Sequence, residues 1–206
     1  MSKTIDYYFS PMSPWTYLGH KRFAEILASA DAQVNVKPVD YGRIFPVSGG
    51  VPVKQRAAQR QAYRMVELRR WRDFLGIALN IEPKYFPYAA ESASLLIVAA
   101  DRKHGTQAAM KFAYAILRAC WAEERNCADA ATLDQIAATA GLDGFALRSR
   151  ESEAKAAYDD NTQEAIKRKV FGAPSYVLDG EIFWGQDRLE MLERALKLSS
   201  KAPVTA

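Results

Sequence analysis

The sequence predicts an α/β fold in which a βαβ unit opens the chain, a block of helices follows, and a ββα unit closes it. Three observations carry this reading. The runs 4–9 and 33–39 are β-prone and flank a helical run, so the chain opens on a parallel strand pair with a crossover helix. From 54 to about 169 the strand signals vanish and helical periodicity replaces them. Near the end, two β-prone runs, 175–178 and 181–184, are joined by Asp179-Gly180, a dipeptide suited to a two-residue hairpin turn.

The first helix covers 17–28, with Pro14 at its first position and Ser13 as N-cap, because proline lacks the amide hydrogen that would be orphaned there. Ser13 thus stands at a strand-to-helix turn. Free first-turn amides and the positive end of the helix dipole favour an anion at such a place: a phosphate, a carboxylate or a thiolate. Two readings of Ser13 stand side by side, a helix cap alone or a hydroxyl serving a bound anion. Residues 41–52, with Gly42, Pro46, Gly49, Gly50 and Pro52, read as a loop leaving the sheet. Tyr63, Val66, Leu68, Trp71, Phe74 and Leu75 are spaced for an amphipathic helix closed by Gly76. Helices follow over 91–104, 106–125 and 132–140, then a short one capped by Asp143 and another running toward Lys169. A final helix, 187–198, turns Leu189, Leu192 and Leu196 inward, with Met191 as a further candidate; 199–206 reads as a frayed tail.

With 206 residues, 49% of them hydrophobic, the chain can bury a full core as one domain or one carrying a large insertion. No apolar stretch approaches the roughly 20 residues needed to cross a bilayer, and the N-terminus enters a strand pattern without a hydrophobic signal region, so a cytoplasmic protein is expected. Cys120 and Cys127 form no Cys-x-x-Cys pair and suit neither a disulfide scaffold nor a zinc site. His20 and His104 are too few for a histidine metal site, and both read as surface or helix-packing residues, so no metal is expected. The net charge of +4 is mild, yet Lys54, Arg56, Arg60, Arg64, Arg69, Arg70 and Arg72 crowd one segment. Arg56, Arg60 and Arg64 recur every fourth residue and would share a helix face. No nucleic-acid motif accompanies them. That leaves a solvated face, or a rim attracting carboxylated small molecules.

The order βαβ, helices, ββα is that of a thioredoxin-like fold with a large all-helical insertion. Ser13-Pro14-Trp15-Thr16-Tyr17-Leu18-Gly19 resembles the Cys-Pro-Trp-Cys-Tyr-x-Gly turn of the DsbA-like oxidoreductases with both cysteines replaced by hydroxyl residues, which rules out disulfide exchange at this turn. Ala173-Pro174 stands where that superfamily carries a cis-proline before a strand. Further matching blocks are Leu68-Arg69-Arg70-Trp71 ahead of Gly76-Ile77, Lys169-Val170-Phe171-Gly172-Ala173-Pro174, and Phe183-Trp184-Gly185-Gln186-Asp187-Arg188-Leu189. With these, essentially the whole chain resembles the kappa-class glutathione transferases and, most closely, the bacterial 2-hydroxychromene-2-carboxylate isomerases.

That resemblance implies a discontinuous thioredoxin-like domain, 1–45 with 170–206, and an inserted helical domain, 46–169. It implies glutathione as a cofactor that is not consumed, its thiolate stabilised by Ser13 as the catalytic group. Ala173, before a cis-Pro174, would pair with the peptide part of glutathione, and Gln186 and Asp187 would meet its γ-glutamyl end. The thiolate would add to the conjugated system of a small aromatic 2-oxo acid, the former double bond would rotate, and elimination would return the thiol, interconverting the chromene carboxylate and trans-o-hydroxybenzylidenepyruvate. Arg60 or Arg64 could hold the substrate carboxylate, and Tyr88 and Trp15 could line an aromatic pocket. The alternative readings are that Asp187 caps the last helix, Trp184 fills the core, and Gly172 serves only its turn. A homodimer is implied, with no nucleic-acid or membrane partner. Kappa transferases carry an asparagine near a Gly-x-Pro-Pro segment where this chain reads Ser48-Gly49-Gly50-Val51-Pro52-Val53, so glutathione contacts from that loop are not carried over. A kappa-like transferase and a cysteine-less DsbA-like binding protein are the alternative functions.

Overall fold

The structure, a computed structural model, describes residues 3–199. Strands β1 (Thr4–Phe9), β2 (Gln33–Pro38), β3 (Ser175–Leu178) and β4 (Glu181–Trp184) form one mixed sheet in the order β2-β1-β3-β4. β2 runs parallel to β1, while β3 is antiparallel to both β1 and β4. The helices are α1 (Pro14–Ser29), α2 (Tyr41–Ser48), α3 (Ala58–Leu75), α4 (Glu91–His104), α5 (Thr106–Trp121), α6 (Ala130–Thr139), α7 (Gly144–Arg148), α8 (Glu151–Lys167) and α9 (Leu189–Ser199).

β1 is central, and its side chains are buried on both faces. Ile5, Tyr7 and Phe9 point into the large core, whereas Tyr8 joins Val39, Ile44, Ala165, Val170 and Val177 in a smaller cluster on the other face. The large core continues from the sheet into the helical block, where α4 and α5 pack on each other and both touch β2. In the hairpin, Asp179 and Gly180 have φ of 52° and 88°, the left-handed pair that a two-residue turn between twisted strands requires.

Several expectations are corrected. Residues 41–48 form a helix, not a loop: the Asp40 side chain accepts from the Gly42 amide at 2.7 Å, Gly49 closes the C-terminus, and Pro46 is accommodated within. In α3 the stripe facing the body is Arg64, Leu68, Trp71 and Leu75, with Leu68 fully buried and Arg64 nearly so. Tyr63 and Phe74 stay 59% and 78% exposed, so they are not on the inward face. Arg56 precedes the helix in extended conformation and shares no helix face with Arg60 and Arg64. The closing segment begins as a 3-10 turn, Gln186–Arg188, before α9; Leu189, Leu192 and Leu196 are buried there and Met191 is exposed. Of the tail read as frayed, 200–206 lies outside the described residues.

The strand register fixes where chemistry can sit. Phe9 pairs with Pro38, Tyr8 with Ser175, and Ser175 with Trp184. The turn leaving β1, the entry to α2, the loop before β3 and the turn after β4 therefore all leave the same edge of the sheet.

Candidate active site

Ser13 caps α1 at that edge. Its backbone is extended (φ −79°, ψ 126°), its amide donates to Ser10 O at 3.0 Å, and its Oγ accepts from the Thr16 amide at 3.3 Å. Accepting leaves the hydroxyl proton uncommitted. Pro14 has no N–H, so the Trp15 amide is the open donor of the first turn.

The turn is fastened from behind. Tyr88 is buried and spends its hydroxyl on Pro11 O at 2.9 Å, while its own amide approaches Met12 Sδ at 3.3 Å. The Trp121 indole N–H donates to Met12 O at 3.2 Å. Tyr88 therefore braces the turn with its polar end committed, rather than offering it to an aromatic pocket. Trp15 is half-buried against the core.

The loop before β3 is the second component. The Ala173–Pro174 peptide is cis, and Pro174 O accepts from the Gly185 amide at 2.9 Å. Gly172 O accepts twice, from Tyr41 Oη at 2.8 Å and Ser175 Oγ at 2.6 Å. Among the described residues, the Ala173 amide and carbonyl make no hydrogen bond. Gly172 lies so close under the Trp184 indole that a Cβ would collide with it. Trp184 is half-exposed with Phe171 edge-on at 4.8 Å, so it is not the core residue one reading allowed.

Gln186 and Asp187 follow β4. Gln186 is buried, and its Oε1 has no partner among the described residues. A Cβ on Gly19 would stand only 2.7 Å from Gln186 Cβ, so glycine lets α1 approach this turn. Asp187 is exposed, 3.2 Å from the Arg188 guanidinium.

The chain's own thiols are not available for this chemistry: burial pushes Cys120 up to about 12 and Cys127 up to about 11. A thiolate at neutral pH is therefore not theirs to give. His20 is buried in helix packing, as one reading held, and His104 is exposed. Arg60 is exposed in the first turn of α3, whereas Arg64 is buried against Phe86 and Trp121.

Sequence reasoning missed Tyr41 because it lies in the segment read as a loop. Its role is testable, since Gly172 is buried and a buried carbonyl stripped of all donors costs more than one that keeps a partner. Tyr41→Phe is expected to lower unfolding stability by about 1 kcal/mol in urea. Ser175→Ala should do likewise, and the double variant should lose more than the two single losses added. Strict additivity would show that the two donors do not share this carbonyl's burden.

The family described as DsbA-like thioredoxin domain matches residues 4–197. The chain belongs to that family. The 2-hydroxychromene-2-carboxylate isomerase of Pseudomonas putida is 30% identical over 196 residues, covering 93% of this chain and 93% of the relative. A solved structure of a 2-hydroxychromene-2-carboxylate isomerase superposes with a TM-score of 0.78 at 27% identity, covering 96% of each chain. The fold is shared with the cytosolic disulfide reductase DsbM from Pseudomonas aeruginosa, solved with GSH: TM-score 0.66, 20% identity, 94% of this chain and 99% of that one. Within the DsbA-like family this chain stands with the isomerases, as its serine turn led us to expect.

Proposed function

We propose that this chain is a glutathione-dependent cis-trans isomerase of the 2-hydroxychromene-2-carboxylate type. The observation that carries the reading is Ser13: a capping serine with an uncommitted hydroxyl proton, at a helix N-terminus, on the sheet edge shared with the cis-Pro174 loop. The residues present fit glutathione. Ala173 has a free backbone donor and acceptor for an extended peptide, and Gln186 has a buried oxygen in want of a donor.

Bound there, glutathione supplies the thiol that adds reversibly to the conjugated substrate. Ser13 donates its hydroxyl hydrogen to sulfur, and the Trp15 amide with the α1 dipole favours the ionised form. Ala173 pairs with the peptide, as an added strand would. Gln186 Oε1 and the Asp187 carboxylate accept from the γ-glutamyl ammonium. The substrate is a small aromatic 2-oxo acid, and the protein works as a cytoplasmic homodimer. Among the described residues no helix is long and apolar enough to cross a membrane.

The test is the absorbance change of a 2-hydroxychromene-2-carboxylate with purified protein. Turnover should require glutathione, saturate with it and leave its concentration unchanged. Stoichiometric loss of glutathione with a chloronitroaromatic would make the protein a transferase instead, and no glutathione binding at millimolar concentration would leave it a binding protein.

A further inference from the structure

Arg64 occupies a position where an amphipathic helix ordinarily places an apolar residue. It precedes Leu68, Trp71 and Leu75 on the stripe of α3 that packs on the body, and it is 8% exposed. Its guanidinium lies over the Phe86 ring (5.2 Å to the centroid) and near the Trp121 ring (6.0 Å). Among the described residues no carboxylate pairs with it. Among the described residues the one polar contact of its head is a long one, from Nη1 to Met65 Sδ at 3.6 Å, and Nη2 is enclosed without a partner. The charged group that acts on it is another cation, Arg56, whose Nε is committed to Val51 O at 2.7 Å. A desolvated guanidinium with no counter-ion is expensive to keep, and the two aromatic rings offset only part of that cost.

Its neighbours locate it. Trp121 is hydrogen-bonded to Met12 O, and Phe86 leads through Pro87 to Tyr88, whose hydroxyl holds Pro11 O. Of the two rings carrying the guanidinium, Trp121 is thus itself a brace of the Ser13 turn, and Phe86 lies two residues from Tyr88, the other brace. We propose that Arg64 is the specificity-determining residue of this site, receiving the carboxylate of the acid substrate as a planar, bidentate partner. This rests on the isomerase reading. The guanidinium fork matches a carboxylate, and pairing in a water-poor site makes the interaction strong. Because Nη2 is enclosed while part of the residue remains open, pairing takes a turn of the guanidinium about its terminal bonds. That movement satisfies the stranded donor and the charge together. Arg60, exposed and one turn earlier, does not share this enclosure.

The test compares Arg64→Met and Arg64→Lys with the wild type on the free acid and on its methyl ester. Arg64→Met should lower kcat/KM for the acid about 100-fold and for the ester less than about threefold; Arg64→Lys, which keeps charge but loses the fork, should lie between. Glutathione affinity by calorimetry should stay unchanged. In the protein without ligands, Arg64→Met should melt no lower than wild type, since it removes an unpaired buried charge. Equal losses on acid and ester overturn the proposal, as does a marked fall in melting temperature, which would give Arg64 a purely structural role. Lost glutathione affinity with intact acid binding would reassign Arg64 to a carboxylate of glutathione and equally overturn it. Calorimetry of the acid without glutathione separates the two readings: acid binding that needs Arg64 stands even if no glutathione binds.

Discussion

Replacing Ser13 with alanine is expected to lower kcat/KM about 100-fold, because a hydrogen bond to an ionised group is worth about 1.5 to 3 kcal/mol and each 1.4 kcal/mol is a factor of ten. The loss should depend on pH. Without the donor, the bound thiol moves up toward its free value near 8.5, so the deficit of Ser13→Ala should narrow as pH is raised from about 7 to about 9. Alanine also removes the cap on the Thr16 amide, at a cost of about 1 kcal/mol in stability, so activity alone would not separate the two roles. Ser13→Asp does. An aspartate keeps an acceptor for Thr16 N–H and should preserve the melting temperature, but it sets a negative charge beside the thiolate and should be at least as inactive as alanine. Kinetics at several pH values and thermal melts of both variants decide the matter. Full activity in Ser13→Ala, or an active Ser13→Asp, would remove the hydroxyl from the chemistry.

Ser13 was readable because capping is local: a serine, a proline without an amide hydrogen, and a helical run suffice. The hairpin was readable for the same reason, since Asp179 and Gly180 adopt a left-handed geometry that few other dipeptides accept. The cis peptide at Pro174 was legible only through the family resemblance, and the one between Phe86 and Pro87 carried no comparable signal. Helix α2 was hidden by its composition. Gly42 and Pro46 argue for a loop, and the helix forms because Ile44 is buried beneath the sheet with Tyr8, Val39 and Val177. Its signals were present at both ends, in Asp40 and Gly49. In α3 the aromatic residues drew the inward face to the wrong side: spacings of four and three from Arg64 through Leu68, Trp71 and Leu75 trace the buried stripe, but only if an arginine is allowed to begin it. A positive charge in a core position was thus the least legible feature, and it is the one with the most specific chemical consequence.

Acid is expected to destabilise the protein through His20, by about 2 kcal/mol between pH 7 and pH 5. His20 is 2% exposed on α1, and its partners come from distant parts of the chain. Nε2 faces the Met110 carbonyl at 2.9 Å, so that nitrogen carries the hydrogen; Nδ1 then accepts from the Tyr7 hydroxyl at 3.1 Å. Both nitrogens are satisfied in the neutral ring. Burial pushes His20 down to about 4, the Met110 carbonyl opposing this only in part, against about 6.5 in the unfolded chain. The folded pKa is the lower one, so in this window the unfolded chain binds more protons. Stability is therefore full above about pH 6.5 and declines as pH falls toward 4, approaching a total of about 3 kcal/mol. Asp101, raised by burial, acts in the opposite sense and is common to wild type and variant. His20→Gln cannot titrate, yet its amide can donate toward Met110 O and accept from Tyr7. Urea unfolding at pH 7 and pH 5 should show a smaller acid loss in His20→Gln than in wild type, by about 2 kcal/mol, whatever the variant's starting stability. Parallel losses in the two proteins would mean that His20 takes up its proton without unfolding the core around it.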